Sequence, residues 1–157
     1  MQQANSKKFI LTKEGLSNLK EEYNELVLKE RPAIARRIQV AREFGDLAEN
    51  SEYDAAKEEQ ALLEARIAQI ETVLPKVQII QQAQQSDFVV IGSTVVVEMN
   101  EEIHKFQIVG SIEANPAENK ISNESPVGKA LLGLKANEVI EVAFGPVKSK
   151  IKVLEIK

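Results

Sequence analysis

The stretch Glu43-Phe-Gly-Asp-Leu-Ala-Glu-Asn-Ser-Glu-Tyr53 separates two long segments that both have the apolar periodicity of a helix. Gly45 lies where the first helix must end, because glycine readily adopts the left-handed backbone conformation that terminates helices. A connection this short makes the two helices antiparallel neighbours. The stretch therefore predicts the tip of a helical hairpin, and it decides the fold of the first half of the chain.

The two segments that flank the tip carry matching seams. Seam positions on the first are Leu16, Leu19, Tyr23, Leu26, Ile34, Ile38 and Ala41. On the second, steps of three and four alternate through Tyr53, Ala56, Gln60, Leu63, Ile67, Ile70, Leu74 and Val77. This spacing is typical of a coiled coil. Pro32 lacks a backbone donor, so we expect a kink or a shift of register near Leu28, or alternatively two separate helices.

The composition changes after the glutamine-rich stretch that precedes Asp87. The later part carries β-branched runs separated by turn residues, which predict strands at 87–91, 94–99, 103–109, 139–144 and 151–156. Between them, Ser125-Pro-Val-Gly-Lys-Ala-Leu-Leu-Gly133 predicts one short helix, with Ser125 as its N-cap, Pro126 at its first position and Gly133 after its end.

These patterns predict an α+β chain in two domains. An N-terminal antiparallel α-helical coiled-coil hairpin occupies residues 1–80, with its acidic tip at 43–53. Residues 81–86 form a linker. A small antiparallel β-sheet domain with one short helix occupies residues 87–157.

Composition excludes several classes of function. The chain has 157 residues and a net charge of −4, which argues against a broad basic face that wraps nucleic acid. It has no cysteine, so disulfides and thiolate metal sites are excluded and a reducing cytoplasm is expected. No signal peptide is evident, and no stretch approaches the ~20 apolar residues of a membrane span, so no membrane association is expected.

The tip carries two carboxylates three residues apart, Asp46 and Glu49. At this spacing they lie on the same side of a helical turn and can together coordinate a hard cation such as Mg²⁺ or orient a water. Two ligands make an incomplete site, so metal chemistry there requires a partner. The alternative is structural, because Asp-x-x-Glu is also a capping box for the second helix, with Asn50 and Ser51 as rival caps.

Arginines cluster on the segment that leads to the tip. Arg31, Arg36, Arg37 and Arg42 lie within residues 31–42, which contain no acidic residue. A charge run is commonly only a solvated helix face, but this one ends at the tip. The single histidine, His104, falls in a strand pattern and is more simply a surface or packing residue than a catalyst.

Three stretches together resemble one protein family. Ala41-Arg-Glu-Phe-Gly-Asp-Leu-Ala-Glu-Asn-Ser-Glu-Tyr-Asp-Ala-Ala-Lys-Glu-Glu-Gln60 resembles the tip signature of the GreA/GreB bacterial transcript-cleavage factors. Arg31-Pro32 and Asn123-Glu-Ser-Pro-Val-Gly-Lys-Ala-Leu-Leu-Gly133 resemble two further motifs. The resemblance runs from about Thr12 to the C-terminus, and the turn at Phe144-Gly-Pro-Val-Lys-Ser-Lys150 departs from it.

The resemblance implies an elongation factor that is monomeric when free. Its FKBP-like C-terminal domain would dock on bacterial RNA polymerase near the secondary channel while the coiled coil enters it. The factor would not be an enzyme itself. It would stimulate the polymerase to cut backtracked nascent RNA near its 3′ end, with Asp46 and Glu49 as catalytic residues that share a Mg²⁺ only in the complex.

The resemblance also implies roles for residues outside the tip. Arg36, Arg37 and Arg42 would guide the RNA, and Ser125 and Pro126 would belong to the surface that docks on polymerase.

Two alternatives remain: an inhibitor that enters the channel without promoting cleavage, and a prolyl isomerase. The presence of both tip acids favours cleavage over inhibition, and the scarcity of aromatic residues, 4%, argues against an isomerase pocket.

Overall fold

The computed structural model describes residues 8–45, 50–80 and 86–157. The chain divides into two compact units. One is Ser17–Lys76, and the other combines Met1–Leu16 with Val77–Lys157. Among the described residues, no helix is long and apolar enough to cross a membrane.

The hairpin unit has an outgoing and a returning helical arm. The outgoing arm contains α1 (Lys13–Glu25) and α2 (Arg31–Glu43), and the returning arm is α3 (Ser51–Val73) followed by a 3₁₀ turn at Leu74–Lys76. The arms pack through buried aliphatic side chains: Ile34, Ile38, Ala56, Leu63 and Ile67. The predicted hairpin and most of its seam are therefore confirmed.

The outgoing arm is continuous through Pro32. A π-helical segment, Leu26–Glu30, joins α1 to α2, and the N–H of Arg31 donates to the carbonyl of Leu26, five residues earlier. Pro32 cannot donate to the carbonyl of Leu28, and the wider π-turn lies where that α-helical hydrogen bond is missing. The predicted shift of register near Leu28 is confirmed, and the alternative of two separate helices is wrong.

Ion pairs join the arms outside the apolar seam. Arg31 donates from Nε and Nη2 to the two oxygens of Glu64 at 2.8 and 2.7 Å. Arg66 makes the same forked contact with Glu22 at 2.6 and 2.7 Å. The hydrogen bonds from Arg31 hold the pKa of Glu64 below its ordinary value, and those to Glu22 raise the pKa of Arg66. Such forked pairs fix the register of one arm against the other.

The second unit contains a five-stranded sheet in the order β5-β4-β3-β7-β6. Its strands are β3 (Thr94–Met99), β4 (Glu102–Val109), β5 (Lys120–Ser122), β6 (Val139–Phe144) and β7 (Val147–Ile156). One short helix, α4 (Pro126–Leu131), contributes Leu131 to the core. The remaining buried core residues are Val89, Val95, Val97, Ile108, Val142, Ile151 and Val153. The α+β fold class is confirmed.

Two details of the predicted sheet are wrong. The sheet is not wholly antiparallel, because β5, for which no strand was predicted, lies parallel to β4. Residues 87–91 do not form a strand; only Phe88 makes an isolated antiparallel bridge, with Lys135. The pairing of β5 covers only three residues, which is too few to produce an alternating pattern in the sequence.

A separate parallel pair, β1 (Phe9–Leu11) and β2 (Val77–Ile79), belongs to the sheet-containing unit. The sequence-based division placed both segments in the hairpin domain, with Val77 on its seam. In the structure the second seam ends differently, since Val73 is buried and Leu74 only half-buried. A Cβ at Gly110 would lie 1.8 Å from the carbonyl oxygen of Ile10, so the close approach of β1 requires glycine there.

The cap of α1 is completed by a residue far away in sequence. Thr12 Oγ1 accepts from the N–H of Gly15 at 2.9 Å, while Glu113 accepts from the Thr12 N–H at 3.1 Å and from its hydroxyl at 2.7 Å. In an ordinary capping box a glutamate at the third helical position provides that carboxylate. Here the third position is Gly15, and Glu113 fills the space a side chain would need.

Candidate functional site

The hairpin tip is defined by where its two arms end. α2 ends at Glu43, Gly45 has a φ of 114°, and α3 begins at Ser51. The prediction that Gly45 follows the end of the first helix is confirmed. Asp46 and Glu49, predicted as catalytic and Mg²⁺-binding residues, lie outside the described residues, so their roles stay predictions.

Asn50 joins the two arms at the tip. Its Oδ1 accepts from the Tyr53 N–H at 3.1 Å, which makes it the N-cap of α3, and its Nδ2 donates to the Ala41 carbonyl at 2.6 Å. Of the two rival caps, Asn50 and Ser51, Asn50 is therefore the one that caps α3. Its second bond, to α2, was missed by sequence reasoning, although an asparagine carries the donor and the acceptor that such a link requires.

The arginines predicted to guide RNA are all exposed on α2 but differ in their contacts. Arg37 pairs with Glu59 across the hairpin. The guanidinium carbon of Arg42 lies 5.8 Å from the centre of the Tyr53 ring, a cation–π distance. Among the residues that the structure describes, Arg36 has no hydrogen-bond or ion-pair partner. Its positive charge is therefore less compensated than that of Arg37.

A groove of about 460 Å³ runs along the side of α2 next to the start of α3, towards the tip. It is lined by Ala33, Arg36, Arg37, Val40, Ala41, Phe44 and Glu52. Most of these positions recur every three or four residues, so they share one helical face. Phe44 is 85% exposed and Val40 is 43% exposed. Sequence reasoning assigned Phe44 no role.

The predicted docking residues lie at the start of α4. The Ser125 hydroxyl donates to the Ser122 carbonyl at 2.7 Å and accepts from the Gly128 N–H at 3.0 Å. Pro126 is the first helical residue and is exposed. The predicted cap geometry is confirmed, while the docking role of both residues stays a prediction. Within the described ranges, no group of three or more acidic or histidine side chains could hold a metal.

Comparison with known proteins identifies the family. The family model described as "Transcription elongation factor, N-terminal" matches residues 9–79, and the model described as "Transcription elongation factor, GreA/GreB, C-term" matches residues 84–157. The chain belongs to the GreA/GreB family. Family membership makes it a transcription elongation factor rather than a stand-alone enzyme.

Curated GreA/GreB relatives match over almost their whole length. Transcription elongation factor GreA of Thermomicrobium roseum is 47% identical, with 94% of this chain and 96% of the relative aligned. GreA of Clostridium acetobutylicum is 49% identical, covering 96% of this chain and 98% of the relative. GreA of Clostridioides difficile is 49% identical, covering 97% of this chain and 98% of the relative.

Solved structures of the family are also similar to this chain. GreA factor homolog 1 (Gfh1) of Thermus thermophilus aligns at 30% identity and a TM-score of 0.44, covering 96% of this chain and 99% of that one. The GreA/GreB factor of Nitrosomonas europaea aligns at 19% identity and a TM-score of 0.40, covering 95% and 98%.

Proposed function

We propose that this chain binds bacterial RNA polymerase, inserts its hairpin into the secondary channel and stimulates cleavage of backtracked nascent RNA near its 3′ end. The observation that carries the proposal is the hairpin itself. Two arms packed along an apolar seam end together at Asn50, and the short segment between them contains Asp46 and Glu49.

The hairpin is long and is fixed at its far end. The outgoing arm from Ser17 to Glu43 spans roughly 40 Å at about 1.5 Å per residue. The bond from Asn50 to Ala41 ties the last turn of α2 to the first turn of α3. This link restrains both ends of the connecting segment, which limits the entropy lost when its side chains enter another protein's active site.

The tip carboxylates would complete a metal site in the polymerase. Asp46 and Glu49 would hold one Mg²⁺ together with groups that polymerase provides, since two carboxylates alone bind Mg²⁺ weakly. When bound, the metal polarises the phosphoryl oxygen and lowers the pKa of its water. The chain itself would bring two acceptors to the reacting phosphate and orient the attacking water through hydrogen bonds.

The arginines of α2 would attract the phosphates of the extruded RNA, because guanidinium groups form forked contacts with phosphate oxygens. Their contacts in the free protein rank them. Arg36 has an uncompensated charge within the described part of the chain, whereas the charge of Arg37 is offset by Glu59. We therefore assign a larger share of the RNA attraction to Arg36 than to Arg37.

The docking surface would include the exposed ring of Pro126. Both hydrogen bonds of the Ser125 hydroxyl are used within its own turn. Ser125 would therefore act by holding the shape of the loop in front of α4 rather than by donating to polymerase.

A cleavage assay on a halted, backtracked polymerase complex with end-labelled RNA tests the proposal. We expect the native protein to shorten the RNA, and Asp46→Asn or Glu49→Gln to slow shortening by about a hundredfold or more, as losing a reacting-centre contact does. Glu43→Gln is the matched control, because it removes an exposed carboxylate at the end of α2.

Competition for polymerase binding separates the possible failures. Variants that compete as well as native protein but do not cleave place the chemistry at the tip. Native protein that binds, slows synthesis and leaves the RNA intact would contradict the proposal and identify an inhibitor that occupies the channel.

A further inference from the structure

The groove along the side of α2 exposes apolar side chains that the packing of the hairpin does not use. Phe44 and Val40 lie on this face, whereas Ile34 and Ile38 of the same helix are buried against α3. A phenyl ring that is 85% exposed contributes little hydrophobic stabilisation to the fold. Its position at the last turn before the tip places a flat apolar surface beside the segment proposed to meet RNA.

The charges around the groove select the kind of ligand. Arg36 lines it with no ion-pair partner among the described residues, and α2 contains no acidic residue from Arg31 to Arg42. Glu52, at the start of α3, is the acidic member of the lining. A ligand that suits these groups has an aromatic face, an anionic group for Arg36 and amino hydrogens for Glu52.

An unpaired nucleotide has all three features. Its base has a flat face that stacks on aromatic side chains, its phosphate pairs with arginine, and the amino groups of cytosine, adenine and guanine donate to carboxylates. The groove's volume of about 460 Å³ lies within the range of small-ligand sites. The carboxylate of Glu52 repels phosphate, so the base edge and not the backbone would face α3.

We infer that this groove is a stacking platform for one base of the extruded RNA, with Phe44 against the base and Arg36 on the adjoining phosphate. The inference rests on the proposed function and names the RNA contact that accompanies it. The platform would hold the RNA strand in place while the tip acids act, so its loss raises the factor concentration needed for cleavage more than it lowers the maximal rate.

A double-mutant cycle between the ring and the base provides the test. Backtracked complexes are assembled with intact RNA or with an abasic nucleotide at each extruded position in turn. The factor concentration for half-maximal cleavage is measured for native protein, Phe44→Leu and Phe44→Trp. Leucine keeps apolar character but cannot stack, and tryptophan keeps a stacking face. Thermal unfolding checks that all three fold equally, as expected for an exposed position.

On intact RNA we expect Phe44→Leu to raise the half-maximal concentration about tenfold, the usual size of one base–aromatic stack, and Phe44→Trp to stay near native. With the abasic nucleotide at the stacked position, native protein and Phe44→Leu should become equal. Arg36→Gln should raise the half-maximal concentration on both the intact and the abasic RNA. The increase should be smaller at high salt, because salt reduces the contribution of a contact with phosphate. The platform is wrong if Phe44→Leu leaves the half-maximal concentration on intact RNA unchanged. It is also wrong if the increase caused by Phe44→Leu is the same at every abasic position.

Two further measurements assign any failure. If Phe44→Leu also loses affinity for RNA-free polymerase, the groove binds the polymerase protein and the RNA inference is wrong. Photo-crosslinking from 4-thiouridine in the extruded RNA needs no cleavage. A crosslink that maps to Phe44 within the tryptic peptide 43–57 supports the platform even if native protein fails to stimulate cleavage. A crosslink only at residues 46–49, or none in this peptide, contradicts it.

Discussion

Replacing Gly15 by alanine is expected to destabilise the unit that contains the sheet, although alanine is the better helix former. By helix propensity alone the change should stabilise by about 1 kcal/mol. A Cβ at position 15, however, would lie 2.4 Å from Cδ and from Oε2 of Glu113. The carboxylate must therefore move, and it then loses its two hydrogen bonds to Thr12, of 3.1 and 2.7 Å.

The balance between these effects can be estimated. A hydrogen bond to a charged group contributes about 1.5–3 kcal/mol. The two bonds to Glu113 are only partly buried, so the lower value applies to each. After the gain in propensity, Gly15→Ala should cost about 2 kcal/mol. In a Glu113→Ala background the obstacle and the bonds are both gone, and the same substitution should stabilise by about 1 kcal/mol.

The measurement is native-state hydrogen exchange at the Gly15 amide, which reports local opening of the first turn of α1 even if the two units unfold separately. Denaturant unfolding of the four proteins in the cycle gives the global value. Glu113→Gln serves as the control, since it keeps the size of the side chain and one carbonyl acceptor. If Gly15→Ala stabilises equally in both backgrounds, the distant carboxylate does not contribute to the cap.

Two further predictions concern the hairpin unit. Asn50→Ala should lower the free energy of unfolding by about 2 kcal/mol, because it removes an N-cap and the bond to Ala41. Asn50→Asp keeps the cap acceptor and should recover about half of this loss. If unfolding of the hairpin shows the full loss in Asn50→Asp, the cap contributes nothing. Arg31 lowers the pKa of Glu64 in the folded state, so the stabilisation from this pair is complete above the ordinary pKa of 4.5 and is lost as pH falls through the lowered value. The difference in thermal midpoint between native protein and Glu64→Gln should therefore be constant above pH 4.5 and shrink below it, and a difference independent of pH would contradict the pairing.

Periodic features of the sequence were sufficient to predict the hairpin. The seam step from Leu26 to Ile34 is eight residues, one more than two helical turns of a coiled coil, and the π-turn found there accommodates this extra residue. Pro32 predicted only a kink or a shift of register at this place. The caps of α4 were equally readable, because Ser125 and Pro126 act through neighbours in the chain. Features that depend on neighbouring residues or on a regular spacing can therefore be predicted from one sequence.

Contacts between segments that are distant in the sequence could not be predicted, because they produce no local or periodic pattern. Glu113 reaches Thr12 across 101 positions, and the parallel pairing of β1 with β2 joins segments that have three residues each. At the tip, the groove beside Phe44 arises because one exposed helical face meets Glu52 of the other arm. A single aromatic residue between Glu43 and Gly45 gave no periodic signal from which that groove could be predicted.

The π-turn at Leu26–Glu30 also determines which changes in length the outgoing arm can tolerate. An α-helix rotates by about 100° per residue, so losing one residue from α2 would turn Phe44 and the tip away from their present direction. A π-turn holds one residue more than the α-helix that could replace it. Deleting Leu28 together with the change Pro32→Ala would therefore let the segment rewind as α-helix, preserve the rotational phase of Ile34 and Ile38, and shorten the arm at little cost in packing. With Pro32 retained the deletion should be costly, because the proline ring would clash with the carbonyl four residues before it.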